Sequence, residues 1–130
     1  AANPNTRSAD LIYPGEVVFA PTAEAKATDA AGAKYDAATR ASEQPSANRG
    51  EWEDKSKDVT TTKNDFKQAV QAEIDAGMSY SGNSREDYGN EAVALGEQIA
   101  QRYEAQGKPE LAAAAREAAQ ERSTAINNEV

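Results

Sequence analysis

Large apolar side chains recur at helical spacing in the middle of the chain. The first stripe consists of Trp52, Val59, Phe66, Val70 and Ile74. Its members are seven or four residues apart, and both spacings place side chains on one face of an α-helix. The pattern predicts a helix over residues 47–76, with this stripe as a core face or an interaction face.

Three consecutive threonines, residues 60–62, lie inside that helix. β-Branched side chains lose rotamer freedom in a helix. We therefore expect a break at this point, with Thr62 capping a new helical start. We expect Gly77 to end the helix.

The clearest amphipathic pattern follows a polar loop at residues 77–84. The second stripe consists of Tyr88, Ala92, Leu95, Ile99 and Tyr103. Ser84, with Asp87 three residues later, is related to a capping box and predicts the start of this helix. A last helix is predicted over residues 109–126. Its apolar positions are Leu111, Ala115, Ala118 or Ala119, and Ile126. The short connection at 106–109 favours an antiparallel helix pair.

Residues 22–43 are rich in alanine, and Tyr35 is their only large side chain. Thr22 suits the start of a helix, and the Gln44-Pro45 pair marks its end. These signals predict a helix, and a flexible linker is the alternative.

Composition limits the core that such helices can build. Alanine supplies 28 of the 130 residues, whereas Leu, Ile, Val and Phe together supply only 15. Alanine favours helix but buries little area, so we expect slim helices that pack closely through small faces. The predicted fold is mainly α, with about four helices in an elongated antiparallel bundle or hairpin arrangement, preceded by a short turn-strand segment. We divide the chain into a segment at 1–21, an alanine-rich helix or linker at 22–46 and a helical module at 47–130.

Charge and missing residue types exclude several kinds of chemistry. The chain carries 22 acidic and 14 basic residues, a formal charge of −8, which disfavours nucleic acid and anionic lipid as partners. It contains no cysteine and no histidine, so thiolate chemistry, a Ser-His-Asp arrangement and most zinc sites are excluded. No segment is apolar enough to insert into a membrane. We expect a protein without catalytic activity, cofactor or metal.

The front of the chain differs from the rest. Asn3-Pro4 is followed by the run DLIYPGE at residues 10–16 and by VVFAP at 17–21. Pro14-Gly15 is a turn signal, and the residues after it have strand character. In order, spacing and residue types, residues 2–21 resemble the C-terminal half of a LysM (lysin motif) domain.

The resemblance implies a glycan-binding fragment. LysM domains are βααβ units that bind N-acetylglucosamine-containing glycans, such as peptidoglycan or chitin, between two loops. The loop that corresponds to residues 4–12 is present, and the other loop has no counterpart here, so we expect weak binding through residues 3–13 at most. The candidate glycan-binding residues are Pro4, Asn5, Asp10, Leu11 and Ile12. The alternative is that the apolar residues of this stretch pack against the helices that follow.

Two further groups of residues suggest chemistry. Trp52 lies among four acidic residues within residues 51–58, an arrangement that can bind sugars by stacking; the alternative, which we favour, is that it belongs to the core stripe. Glu86, Asp87 and Glu91 could act as paired carboxylates, although acids in the first turn of a helix ordinarily interact with its positive end. The second interpretation is the simpler one in each case.

These observations favour a non-catalytic interaction or spacer module from a larger, LysM-bearing, bacterial protein of the cell envelope or a secreted one. In this hypothesis the two stripes make helix contacts within the chain, with a second copy or with another protein. One alternative is weak binding of peptidoglycan or chitin fragments through residues 3–13. Another is a small acidic effector or adaptor that binds a basic protein surface.

Overall fold

A computed structural model describes residues 22–78 and 85–128, with the backbone alone at residues 85 and 86. These residues form four α-helices. They are α1 (Ala23–Ser42), α2 (Arg49–Gly77), α3 (Arg85–Ala105) and α4 (Pro109–Asn128). The mainly α prediction and the helix count are confirmed. The predicted turn-strand segment, like the capping role of Ser84, lies outside the described residues.

The first two helices begin at side-chain caps. The hydroxyl of Thr22 accepts a hydrogen bond from the Ala25 amide, and α1 follows as a helix rather than a linker. Asn48 accepts from the Glu51 amide in the same way at the start of α2. The Glu51 carboxylate in turn accepts from the Ala47 amide, so the two side chains satisfy free N–H groups on both sides of the helix start.

The expected break at the three threonines is wrong, because α2 continues unbroken through them to Gly77. The Thr60 hydroxyl donates to the Ser56 carbonyl, and the Thr62 hydroxyl donates to the Asp58 carbonyl. Each bond reaches back one turn and satisfies the hydroxyl within the helix. Thr60 and Thr62 therefore fit into the helix, because the hydroxyl of each is satisfied by a carbonyl of the same helix.

The turn between α3 and α4 is short and closely bonded. The Tyr103 carbonyl accepts hydrogen bonds from the amides of Gln106 and Lys108. Gly107 has a φ of 74°, a left-handed conformation that glycine adopts without steric cost. Pro109 then occupies the first position of α4, where a missing N–H is tolerated.

The helices form two antiparallel hairpins. In the first, α1 and α2 run antiparallel, and the Thr28 hydroxyl donates to the Ala69 carbonyl between them. In the second, α3 and α4 run antiparallel. The hairpins meet mainly along α2 and α4, where Gln71 donates to the Ala118 carbonyl. Lys67 also contacts Glu117 and Glu121 at 2.7 Å each across this contact.

The core combines a few large side chains with many alanines. Phe66 contacts Tyr35 and Tyr103, with ring centroids 6.2 and 5.5 Å away. The buried aliphatic residues and alanines around these rings are Val70, Ile74, Ala92, Ile99, Ala100, Leu111, Ala112, Ala114, Ala115, Ala118, Ala119 and Ile126. The expected close packing through small faces is visible between α3 and α4, where Gly96 lies against Ala119.

The first stripe is only partly a core stripe. Its members Phe66, Val70 and Ile74 are fully buried, whereas Val59 is half-buried. Trp52 is 58% exposed, so the favoured prediction that it lies in the core is wrong. The second stripe faces the core throughout, with Tyr88 and Leu95 half-buried and the other three members, Ala92, Ile99 and Tyr103, buried.

The exposure of Trp52 follows from the lengths of the helices. The Lys55 ammonium donates to the carbonyls of Gln44 and Pro45, which come after the end of α1. Trp52 lies nearly one turn further toward the start of α2, where α1 no longer covers it. The helix α4, which runs in the same direction as α2, provides no cover at this level either, because Lys63 already pairs with Glu117 eight residues after α4 begins.

The contact between α3 and α4 generates a stability prediction. A methyl group at position 96 would overlap the Ala119 side chain, so we expect Gly96→Ala to destabilise the fold by about 1–3 kcal/mol. The loss should exceed the gain of roughly 1 kcal/mol in helix propensity. Gly77→Ala is the matched control, because its new methyl group would meet Leu95 at an ordinary 3.5 Å. Urea unfolding measures both, and equal stability of the two variants would contradict this packing.

Candidate functional site

A groove opens between the start of α1, the end of α2 and the middle of α3. Its volume is about 710 Å³. The apolar part of its lining consists of Ala76, Gly77, Leu95 and Ile99. The polar part consists of Thr22, Glu24, Glu73, Gln98 and Arg102. The groove is therefore an apolar surface with charged and amide groups along it, which is typical of a binding surface for a chain or a small ligand.

A polar network lies beside the groove and is centred on Arg102. Its guanidinium donates to both oxygens of Glu73, at 2.9 and 3.2 Å. The neighbouring Tyr103 hydroxyl donates to Asp29 on α1 at 2.5 Å. Arg102 also lies 3.7 Å from Asp29 and 5.2 Å from the centre of the Tyr103 ring. The network thus connects α1, α2 and α3 through hydrogen bonds to charged groups, which are stronger than neutral ones.

The surroundings of Tyr103 and Arg102 shift the pKa of both side chains upward. Burial and the hydrogen bond to Asp29 raise the pKa of Tyr103 well above that of an ordinary tyrosine. The hydrogen bonds with Glu73 raise the pKa of Arg102 further above neutrality. Neither group therefore exchanges a proton near pH 7, so the pair positions the helices and does not serve as an acid or a base.

One atom of this network has no partner among the described residues. The Nε of Arg102 is buried and makes no hydrogen bond there. A buried donor without a partner costs free energy, and an acceptor near it would recover that cost.

Two other carboxylates, on α3, are engaged with a cation of α4. Arg116 on α4 donates to Glu97 at 2.8 Å and to Glu104 at 2.9 Å. These hydrogen bonds lower the pKa of both glutamates below the ordinary value. Within residues 22–78 and 85–128, three or more acidic, histidine or cysteine side chains do not come together in a geometry that could hold a metal ion.

Trp52 stands apart from the groove near the start of α2. The nearest acidic residues in sequence are engaged locally, since Glu51 pairs with Lys55 at 3.0 Å and Glu53 pairs with Arg49 at 3.2 Å. The indole is therefore an exposed aromatic surface whose two adjacent acidic residues, Glu51 and Glu53, are held in ion pairs. This arrangement favours contact with an apolar surface over the recognition of sugar hydroxyls by Glu51 and Glu53.

The structure describes some of the candidate site residues from the sequence and leaves others outside the described ranges. Pro4, Asn5, Asp10, Leu11 and Ile12 lie outside the described residues, as does the side chain of Glu86. Asp87 is exposed and Glu91 is half-buried, near the start of α3. The pairing of Glu73, Arg102 and Asp29 was missed, because these residues come from three helices. The only signal in the sequence was a charged residue adjacent to the last member of the second stripe.

None of the described helices combines the length and the apolar character that crossing a membrane requires. Comparison with protein-family models, with curated proteins and with solved structures finds no match to the chain. The LysM resemblance of residues 2–21 therefore stays a prediction.

The Arg102 network generates a second prediction. Glu73 is only 15% exposed, so Glu73→Gln leaves the Arg102 guanidinium without its charged partner in a half-buried place. We expect a loss of about 1–3 kcal/mol in the free energy of unfolding, measured in urea. Asp29→Asn is the control, because Asp29 is 52% exposed and asparagine still offers Tyr103 an oxygen. A larger loss in the control than in Glu73→Gln would contradict the assignment.

Proposed function

We propose that this chain is a non-catalytic helical interaction or spacer module that belongs to a larger, LysM-bearing, bacterial protein of the cell envelope. The observation that carries the proposal is the exposure of Trp52, which is 58% accessible and takes no part in the core cluster. Tryptophan is among the residue types that contribute most free energy when they are buried at a protein interface.

The position of Trp52 suits a contact with another protein. It lies near the start of α2, beyond the levels at which α1 and α4 cover that helix. A partner can therefore approach without displacing a neighbouring helix. The ion pairs beside it, from Lys55 to Glu51 and from Arg49 to Glu53, would form the polar rim that surrounds an aromatic anchor in many interfaces.

The rest of the bundle supports a spacer role. The contact between the hairpins is linked by Lys67 with Glu117 and Glu121, and by Arg122 with Asp75 at 2.7 Å. Single surface ion pairs contribute little, but several along one contact fix the register of the helices. Two half-exposed carboxylates, Glu97 and Glu104, are held in ion pairs by Arg116, which argues against their use as a general acid.

Trp52 is the only tryptophan of the chain, so its fluorescence tests the proposal directly. We expect emission typical of a solvated indole and free access to a soluble quencher. Trp52→Ala should change the free energy of unfolding by less than about 0.5 kcal/mol, because no core contact is lost. Phe66→Ala is the reference and should cost about 3–5 kcal/mol. A loss in Trp52→Ala that approaches the reference would assign Trp52 to the fold and remove the support for an interaction surface.

Glycan binding through residues 3–13 is the alternative function, supported by the resemblance of the chain's front to LysM. Sedimentation of the full chain with insoluble peptidoglycan or chitin separates the two. If the chain is an interaction module, we expect it to stay in the supernatant and to release no soluble sugar from the glycan. Pelleting that is lost in a Leu11→Ala/Ile12→Ala variant and kept in Trp52→Ala would establish the alternative. Pelleting that fades steeply with added salt and is kept in both variants would instead indicate binding through the acidic surface.

A further inference from the structure

The groove between α1, α2 and α3 begins where the undescribed front of the chain joins the bundle. Thr22, the first described residue, is itself part of the groove lining. Three to five residues before it, Val17, Val18 and Phe19 are all large and apolar. We propose that the segment formed by residues 17–19 docks in this groove and completes the apolar core on that side. This inference does not rest on the proposed function.

The length of the connection fits the groove. Phe19 is three residues before Thr22, and an extended chain of that length reaches about 10 Å. Leu95 and Ile99, the large apolar residues of the lining, belong to the same groove as Thr22. A short tether also gives the segment an effective concentration in the millimolar range, which favours it over a separate partner of modest affinity.

The composition of the chain favours the same occupant. Val17, Val18 and Phe19 are three of only 15 Leu, Ile, Val and Phe residues in the chain. In a protein with so few large apolar residues, leaving a fifth of them in water would forgo part of the available hydrophobic stabilisation. The groove offers them an apolar lining of Ala76, Gly77, Leu95 and Ile99.

The polar groups of the groove suit an extended backbone. A single extended segment presents carbonyl and N–H groups that need hydrogen-bond partners. Gln98 offers an exposed side-chain amide on the groove lining, which can donate a hydrogen bond to such a backbone and accept one from it. Alternating side chains of an extended segment would direct Val17 and Phe19 to the same side.

Disulfide trapping tests the docking, because the chain has no cysteine of its own. The variant Glu16→Cys/Gln98→Cys places one thiol beside the segment and one on the groove. We expect a rapid intramolecular disulfide under mild oxidation, measured by mass. The tether alone also brings position 16 near the groove. The matched control therefore adds Val17→Ser and Phe19→Ser, which keeps the length of the chain but removes the apolar contacts.

Docking predicts that this control forms the disulfide at least about tenfold more slowly, because the segment is then held by the tether alone. Equal rates would overturn the proposal. Leu95→Ala, which alters the groove instead of the segment, should slow trapping in the same direction, and circular dichroism verifies that each variant keeps its helices. If Leu95→Ala folds and leaves the rate unchanged, the groove is not the docking surface.

The same trapping experiment tests where the segment docks and whether a second copy of the chain occupies the groove instead. Glu16→Cys/Lys57→Cys places the second thiol on the same helix as Glu73, sixteen residues earlier and about 24 Å away, and should form little intramolecular disulfide. Equal trapping at both positions would overturn the docking. Disulfide-linked dimers that increase with protein concentration would show a second copy in the groove and would also overturn it.

Discussion

Phe66 is the side chain that holds this bundle together, because the other helices meet at or beside its ring. It contacts Tyr35 of α1 and Tyr103 of α3, and Gly32 of α1 lies between it and Leu111 of α4. A methyl group at position 32 would come within 2.8 Å of Leu111 and 3.1 Å of Phe66. The glycine therefore costs helix propensity in α1 but allows the aromatic layer to close against α4.

Because the sequence is rich in alanine, the stability of the bundle depends strongly on this aromatic layer. Alanine buries little area, so most of the hydrophobic stabilisation must come from the few large side chains that the helices share. Away from Phe66, the helices gain contact by close approach, as between Gly96 and Ala119, and by ion pairs such as Lys67 with Glu117. The Arg102 network belongs to the same layer, since it connects the three helices at the edge of the Tyr103 ring. Polar and aromatic contacts thus fix a register that small alanine faces alone would specify weakly.

The sequence was sufficient to predict the helices because their signals are local. Caps such as Thr22, the turn at Gly107 and the spacing of the second stripe depend only on neighbours along the chain. The exposure of Trp52 could not be predicted in this way, because it depends on where α1 and α4 end relative to α2. The helix continues through Thr60 and Thr62 because each hydroxyl donates to the carbonyl four residues earlier. The spacing of apolar residues does not show that these hydrogen bonds form. Likewise, the groove and the pairing of Glu73 with Arg102 depend on how the hairpins pack. The spacing of apolar residues along the chain carries no information about that packing.

The two surfaces suggested for function lie toward opposite ends of α2. Trp52 is near its start and Glu73, at the groove, is near its end, so about 21 residues or roughly 32 Å of helix separate them. An occupant of the groove therefore need not cover Trp52, and a partner at Trp52 need not displace the occupant. Trp52 is the largest exposed apolar side chain in the described residues, and an occupant of the groove would leave it so. The fold would then present one aromatic side chain on an alanine-rich support, as the proposed interaction module needs.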